Sequence, residues 1–192
     1  MKTITIALTI LIAWAGSLGA ENYQLLGAKE TPETGDIVSF MSLSPGANGS
    51  WLEGRQGDDD RGLAGLRLAE AGPKSVTRWR VQEQAPGIYA FQCLGFADGP
   101  AWLDGFTPKG YVLLRLSPNG VSGASWGVYR EGAGFNLKCL GRTKGSRWLV
   151  AGQENGVALA EVPEIAPSLW QICVWHKGEK SEGRSASSII RP

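Results

Sequence analysis

Asp104 stands in the phrase Trp102-Leu103-Asp104-Gly105-Phe106, with Tyr111 shortly after it and Asn119 beyond. A carboxylate is a planar acceptor, Phe106 and Tyr111 offer flat apolar faces, and Asn119 offers an amide. That set suits a ligand with many hydroxyls and a C–H face, which is the chemistry of a carbohydrate. Upstream, Trp51-Leu52-Glu53-Gly54 repeats the pattern with a longer acid, so Glu53 is a second candidate acceptor. The plainer reading of Asp104 is a turn-former ahead of Gly105, because Asp-Gly pairs favour turns. Both readings stand at this point.

Other reactive groups carry less. His176 is the single histidine, so neither a histidine relay nor a multi-histidine metal site can be assembled. Cys139 with His176 as a thiol nucleophile pair lacks an oriented third group. Asp58-Asp59-Asp60 offers hard oxygen ligands for calcium, but without the loop spacing of a built site. It reads as a solvated loop or as an electrostatic contact for a basic protein surface. The expectation is a protein that is not an enzyme and has neither a cofactor nor a metal. Asn48-Gly49-Ser50 is a formal N-glycosylation acceptor in a predicted turn, usable only in a eukaryotic host.

The elements that must position these groups are laid out in three copies. FQCLG at Cys93 is answered by LKCLG at Cys139, 46 residues on, and the first copy has Ser42 at that place. Trp51-Leu52, Trp102-Leu103 and Trp148-Leu149 recur in order, as do Gly65, Gly110 and Gly156, each opening a G-x-x-L phrase. Trp79, Trp126 and Trp170 close the copies. Four landmarks repeated in one order signal a repeat architecture. Each copy reads as four short strands, and Leu63 to Ala71, helical on propensity alone, is read as a strand because its counterparts GYVLLRL and GVALAEV are strand-like. All six repeat tryptophans are expected in symmetric core layers, with Leu52, Leu103 and Leu149, with Phe40, Phe91 and Leu137, and with Leu68, Leu113 and Leu159. A buried indole then needs a partner for its N–H, and a nearby backbone carbonyl is the expected one. Cys93 and Cys139, at equivalent places, read as small core residues not bonded to each other, and the pairing of Cys173 is left open.

Residues 1–20 carry Lys2 and an apolar run from Ile4 to Leu18, the pattern of a signal peptide that leaves a mature chain starting at Glu21. The expected location is therefore secreted: extracellular, or periplasmic in a bacterium. The remaining 172 residues carry 18 basic and 18 acidic side chains, and this balance excludes the basic field that nucleic acid requires. No later segment is apolar enough to span a membrane once the signal is removed. The 27 glycines suit many tight turns. Residues 177–192, rich in charge, Gly and Ser, read as a flexible C-terminal tail.

Twelve short strands in three four-strand copies, from Asp36 to Val174, resemble the β-trefoil. That resemblance implies an all-β fold in which six strands close a barrel and three hairpins cap it. Ricin-type trefoil lectins are the relatives that bear on the acids. In them an Asp at about the place of Asp104 accepts hydrogen bonds from sugar hydroxyls, with an aromatic and an Asn or Gln nearby. The resemblance thus implies a ligand site at Asp104, Phe106, Tyr111 and Asn119, with Glu53 as its first-copy counterpart. The Gln-x-Trp of that family is missing: the phrases here are Thr77-Arg78-Trp79, Ala124-Ser125-Trp126 and Ser168-Leu169-Trp170. The expected function is lectin-like binding of a glycan. The alternative is a secreted protein-binding trefoil, such as a protease inhibitor or effector, whose partner is an extracellular protein met through the insertion at Gln56 to Gly62.

Overall fold

Each copy opens on a strand whose alternate residues are large and apolar, and each such strand finds its partner in the Trp-led strand that closes a copy. The computed structural model describes residues 23–27, 30–55, 65–70, 75–96, 101–106, 110–115, 122–141, 145–152, 156–161 and 169–176. Within them run thirteen strands: β1 (Gln24–Leu25), β2 (Ile37–Ser42), β3 (Trp51–Arg55), β4 (Gly65–Ala69), β5 (Trp79–Ala85), β6 (Ile88–Cys93), β7 (Trp102–Phe106), β8 (Tyr111–Arg115), β9 (Trp126–Glu131), β10 (Gly134–Cys139), β11 (Trp148–Ala151), β12 (Val157–Ala160) and β13 (Trp170–His176). The expected signal peptide, the 56–62 insertion, Asn119 and the 177–192 tail lie outside the described residues.

The pairing closes a ring. Strands β2, β5, β6, β9, β10 and β13 are hydrogen-bonded in that order, and β13 returns to β2. Every pairing is antiparallel, and closure leaves the barrel without a free edge. The hairpins β3–β4, β7–β8 and β11–β12 hang from β2, β6 and β10, and their outer strands meet one another across the open end. This is the all-β, three-copy arrangement that the repeat predicts. The barrel hairpin from β5 to β6 turns at Gly87, whose φ of 73° is the left-handed backbone that favours glycine. The segment read as a strand against its helical propensity is β4.

Three landmarks meet in each repeat. The closing tryptophans lie opposite the cysteine position of the neighbouring strand: Trp79 pairs Cys93, Trp126 pairs Cys139 and Trp170 pairs Ser42. All six of these residues are buried. Each of the three indoles donates its N–H to the carbonyl of the hairpin leucine in its own repeat. The distances are Trp79 to Leu52 at 3.3 Å, Trp126 to Leu103 at 3.0 Å and Trp170 to Leu149 at 3.0 Å. One bond ties each hairpin to the barrel and satisfies a buried donor. Phe40, Phe91 and Leu137 fill the barrel beneath, fully buried.

Two expectations about the core are corrected. Leu52, Leu103 and Leu149 face Leu68, Leu114 and Leu159 across the hairpins, so the second-copy member of that layer is Leu114 and not Leu113. The second-copy outer strand gained one residue ahead of its leucine, and a one-residue slip reverses which side chains face inward. The second correction concerns the Trp-Leu pairs. Neighbours in a strand point to opposite faces, so burying the leucine turns its tryptophan outward. Trp102 and Trp148 are only half-buried. Trp51 is 6% exposed, because Tyr23, beside β1, lays an edge against it at 6.0 Å. The lead-in ahead of β2 makes an edge contact: β1 pairs β13, and Leu26 is buried.

The three cysteines are free and buried. The Cys93 thiol donates to the carbonyl of Val76 at 3.3 Å and the Cys139 thiol to that of Gly123 at 3.4 Å. Those carbonyls belong to short 3-10 turns at Ser75–Thr77, before β5, and Ser122–Ala124, before β9.

Candidate functional site

The two repeat-equivalent acids each lie inside a hairpin strand and each meets an arginine of the facing strand. Glu53 is directly opposite Arg67 on β4, and Oε1 accepts from Nη2 at 2.8 Å and from Nε at 3.0 Å. Asp104 is opposite Leu113, and Arg115, two pairs along on the same face, places Nε 2.8 Å from Oδ2. That contact is a close charge pair whose N–H is not aligned for a hydrogen bond, so its attraction is coulombic. The third copy has Val150 opposite Ala158 and no charge at this place.

Asp104 and Gly105 do not form a turn. Both are mid-strand in β7, paired with Leu113 and Val112. Gly105 is required by packing: a Cβ there would lie 2.8 Å from Sγ of Cys139. Gly54 has the same relation to Cys93, at 2.9 Å. Asp104 itself is 1% exposed. The turn at Gly123 backs onto it so closely that a Cβ on Gly123 would stand 2.7 Å from Oδ1. The group at the surface here is therefore the partly exposed guanidinium of Arg115, held by the carboxylate beneath it. Phe106, half-buried, is the cross-strand partner of Tyr111 on the last rung of the hairpin. The fold thus places Asp104, Phe106 and Tyr111 on one hairpin. Glu53 is on another, and Asn119 lies outside the described residues.

A second face was not predicted as a site. On the barrel exterior β9 and β10 set Tyr129 opposite Asn136 and Gly127 opposite Lys138, and β11 sets Trp148 against Lys138 from the other side. Tyr129 is 45% exposed. Its ring lies back over Gly127, where a Cβ would stand 2.6 Å from Cε2, so the glycine makes room for it. The ring meets Trp148 edge-on at 5.7 Å and 63°. The Lys138 ammonium lies 5.0 Å from the Trp148 ring centroid. Asn136 is 5% exposed, and its Oδ1 has no hydrogen-bond partner. The signal that finds this face in a sequence is parity: with Trp126 inward, Gly127 and Tyr129 point out.

The first copy has a matching face, but it is filled. Trp175 lies 4.9 Å from Tyr23, with the Arg78 guanidinium 4.6 Å from its ring. Its Nε1 donates to Oγ of Ser39 at 2.8 Å, and Ser39 in turn donates to the carbonyl of Thr77 at 2.7 Å.

No protein-family model matches the sequence, and no curated protein sequence matches it. Solved structures do. The BEL β-trefoil superposes with a TM-score of 0.59 at 12% identity, covering 76% of this chain and 97% of its own. The chain is a β-trefoil. Cry35Ab1 matches the trefoil with a TM-score of 0.63 at 12% identity over 83% of this chain, and the match spans only 41% of the Cry35Ab1 chain. The Polyporus squamosus lectin, solved with a sialylated epitope, matches with a TM-score of 0.55 at 11% identity over 74% of this chain and 50% of its own. At such identities the likeness establishes the trefoil fold alone.

Proposed function

We propose that this trefoil is a secreted, noncatalytic carbohydrate-binding protein. Trefoils serve several functions, so the reading needs a site as well as a fold. The observation that carries it is the outward pair of Tyr129, exposed, and Trp148, half-buried, with the Lys138 ammonium beside it. Sugar rings present C–H faces that settle on such rings, while polar neighbours fix their orientation. The lectin among the structures that share the fold supports the same reading. The apolar segment from Ile4 to Leu18 supports secretion. The second-copy hairpin, with Phe106, Tyr111 and the Arg115 held by Asp104, is the other place on this trefoil that would take a sugar, with Asn119 and the first-copy Glu53 as its further candidates.

A glycan array of wild type, Trp148→Ala and Phe106→Ala tests the proposal. Wild type is expected to bind a defined set of glycans, and Trp148→Ala to lose them by roughly tenfold or more in affinity, the scale of one stacked ring. Loss only in Phe106→Ala moves the site to the hairpin. A wild-type protein that binds no glycan ends the carbohydrate reading. The protein-binding alternative is then tested by capture of extracellular partners with and without residues 58–61.

A further inference from the structure

We infer that a row of outward side chains in the second copy, Arg80, Gln92, Trp102 and Arg115, takes an anionic glycan. The inference rests on the carbohydrate reading above and adds a ligand class at a face distinct from that of Tyr129 and Trp148.

Strand register lines the row up. Arg80 of β5 pairs Gln92 of β6, Gln92 pairs Trp102 of β7, and Trp102 pairs Arg115 of β8. Residues directly opposite one another in a sheet share a face. That face is the outer one, because the strand neighbours Trp79, Phe91, Leu103 and Leu114 are buried. Three inter-strand spacings of about 4.8 Å set the two arginines roughly 14 Å apart at the backbone, more than one sugar ring spans.

The other copies show what the fold itself needs at these places. The first aligns Gln171, Met41, Trp51 and Ala69, and the third aligns Gly127, Lys138, Trp148 and Ala160. The tryptophan is common to all three rows, while both ends vary. Tyr23 covers Trp51 in the first copy, and the Tyr129 ring lies back over Gly127 in the third. The second row instead carries a guanidinium at each end. Packing does not call for Arg115, since alanine serves at its place in both other hairpins. Nor does the fold require its pairing with Asp104. The third copy builds the same hairpin with Val150 and Ala160 in those positions, and a buried ion pair commonly stabilises no more than apolar residues would.

The chemistry of the row selects its ligand. Arg80 is exposed, and among the described residues no carboxylate is paired with it. Arg115 is 40% exposed, and the Asp104 carboxylate beneath it fixes its direction before any ligand arrives. A guanidinium offers N–H donors and no acceptor, and Asp104 is too deeply buried to serve as one. A ligand on this row must therefore bring the acceptors. Carboxylate or sulfate groups do so in the planar, charge-assisted geometry that arginine matches. Between the two ends, the half-buried Trp102 suits the C–H face of a sugar and Gln92 suits a hydroxyl.

The test compares glycans that differ only in their charged groups. The full chain is titrated with oligogalacturonate against its methyl ester, and with sulfated dextran oligosaccharides against unsulfated ones, so the two arms separate carboxylate from sulfate. The variants are Arg80→Gln, the double change Asp104→Asn, Arg115→Gln, and Arg55→Gln, which removes the same charge from an exposed residue of another hairpin. Near-ultraviolet circular dichroism confirms that each is folded, and the exposed Arg80→Gln carries the test by itself should the double variant not fold. Wild type is expected to prefer one anionic series over its neutral partner by roughly tenfold or more. Arg80→Gln and the double variant should each erode that preference several-fold, and Arg55→Gln should leave it unchanged. Equal binding of anionic and neutral glycans overturns the inference and leaves the carbohydrate reading standing. A preference that survives in Arg80→Gln, or that falls as far in Arg55→Gln, places the charge selection elsewhere and also overturns it. Absence of binding to any sugar ends both.

Discussion

A thiol in the dry wall of a barrel gives up its proton late. Burial pushes the Cys173 thiol up to about 12 and the Cys93 thiol up to about 11, from an ordinary value of 9.0. Burial also raises Cys139. The sign of the consequence follows from proton counting. Between the unfolded and folded values the native state holds a proton that the unfolded chain has lost, so stability falls as pH rises. Cys173 thus contributes stability that is fully present below about pH 9 and is lost as pH climbs towards about 12. The stability difference between wild type and Cys173→Ala should be flat below pH 9 and shrink above it. Urea midpoints measured across that range check this, and a difference that does not change with pH would mean that the thiol is hydrated. The buried acid obeys another logic. Asp104 keeps its place beneath Arg115 because a buried charge must be paired.

At the scale of elements, the hairpins and the barrel interlock through glycine against cysteine. Gly105 of β7 leaves the space that Cys139 of the next copy fills, and Gly54 of β3 does the same for Cys93. The third copy has Ala151 in the strand position of those glycines, and Ser42 is the first-copy member of the cysteine series. The smaller oxygen of serine goes with the larger alanine. Gly105→Ala is therefore expected to destabilise by about 1–3 kcal/mol, the usual cost of overpacking. In the double variant Gly105→Ala, Cys139→Ala the two costs should sum to less than their separate values, since the second change vacates what the first invades. Chemical denaturation of the four proteins gives the coupling, and strict additivity would refute the interlock.

At the scale of the whole molecule, the lead-in breaks the threefold symmetry. β1 pairs β13, Leu26 joins the core, and Tyr23 covers both Trp51 and Trp175. One exterior face is thereby closed by the chain itself, while its third-copy counterpart stays open at Tyr129. A protein that lacks residues through Leu26 should still close its barrel, because the six barrel strands do not include β1. It should lose about 2 kcal/mol or more for Leu26 alone, and Trp51 and Trp175 should become accessible to a collisional quencher. Quenching equal to that of the intact chain would show that the lead-in does not cover them.

By itself the sequence determined the architecture. Landmarks recurring in order settle copy number, strand number and the closing tryptophans, because three units that share one core must repeat the residues that build it. Trp79, Trp126 and Trp170, with carbonyl partners for their indoles, were legible for that reason. Tertiary structure decided which of two adjacent apolar residues takes the core, and strand alternation then turned the other outward. Trp148 and Leu149 are adjacent in the sequence and equally apolar, and only strand pairing sends one to the surface and the other to the core. Asp104 reads as an exposed acceptor or a turn, but the arginine two pairs along the facing strand and the glycine turn behind it make it a buried ion pair. The Tyr129 face joins residues from β9, β10 and β11. In the first copy Trp175, brought back by the last strand, covers the matching face.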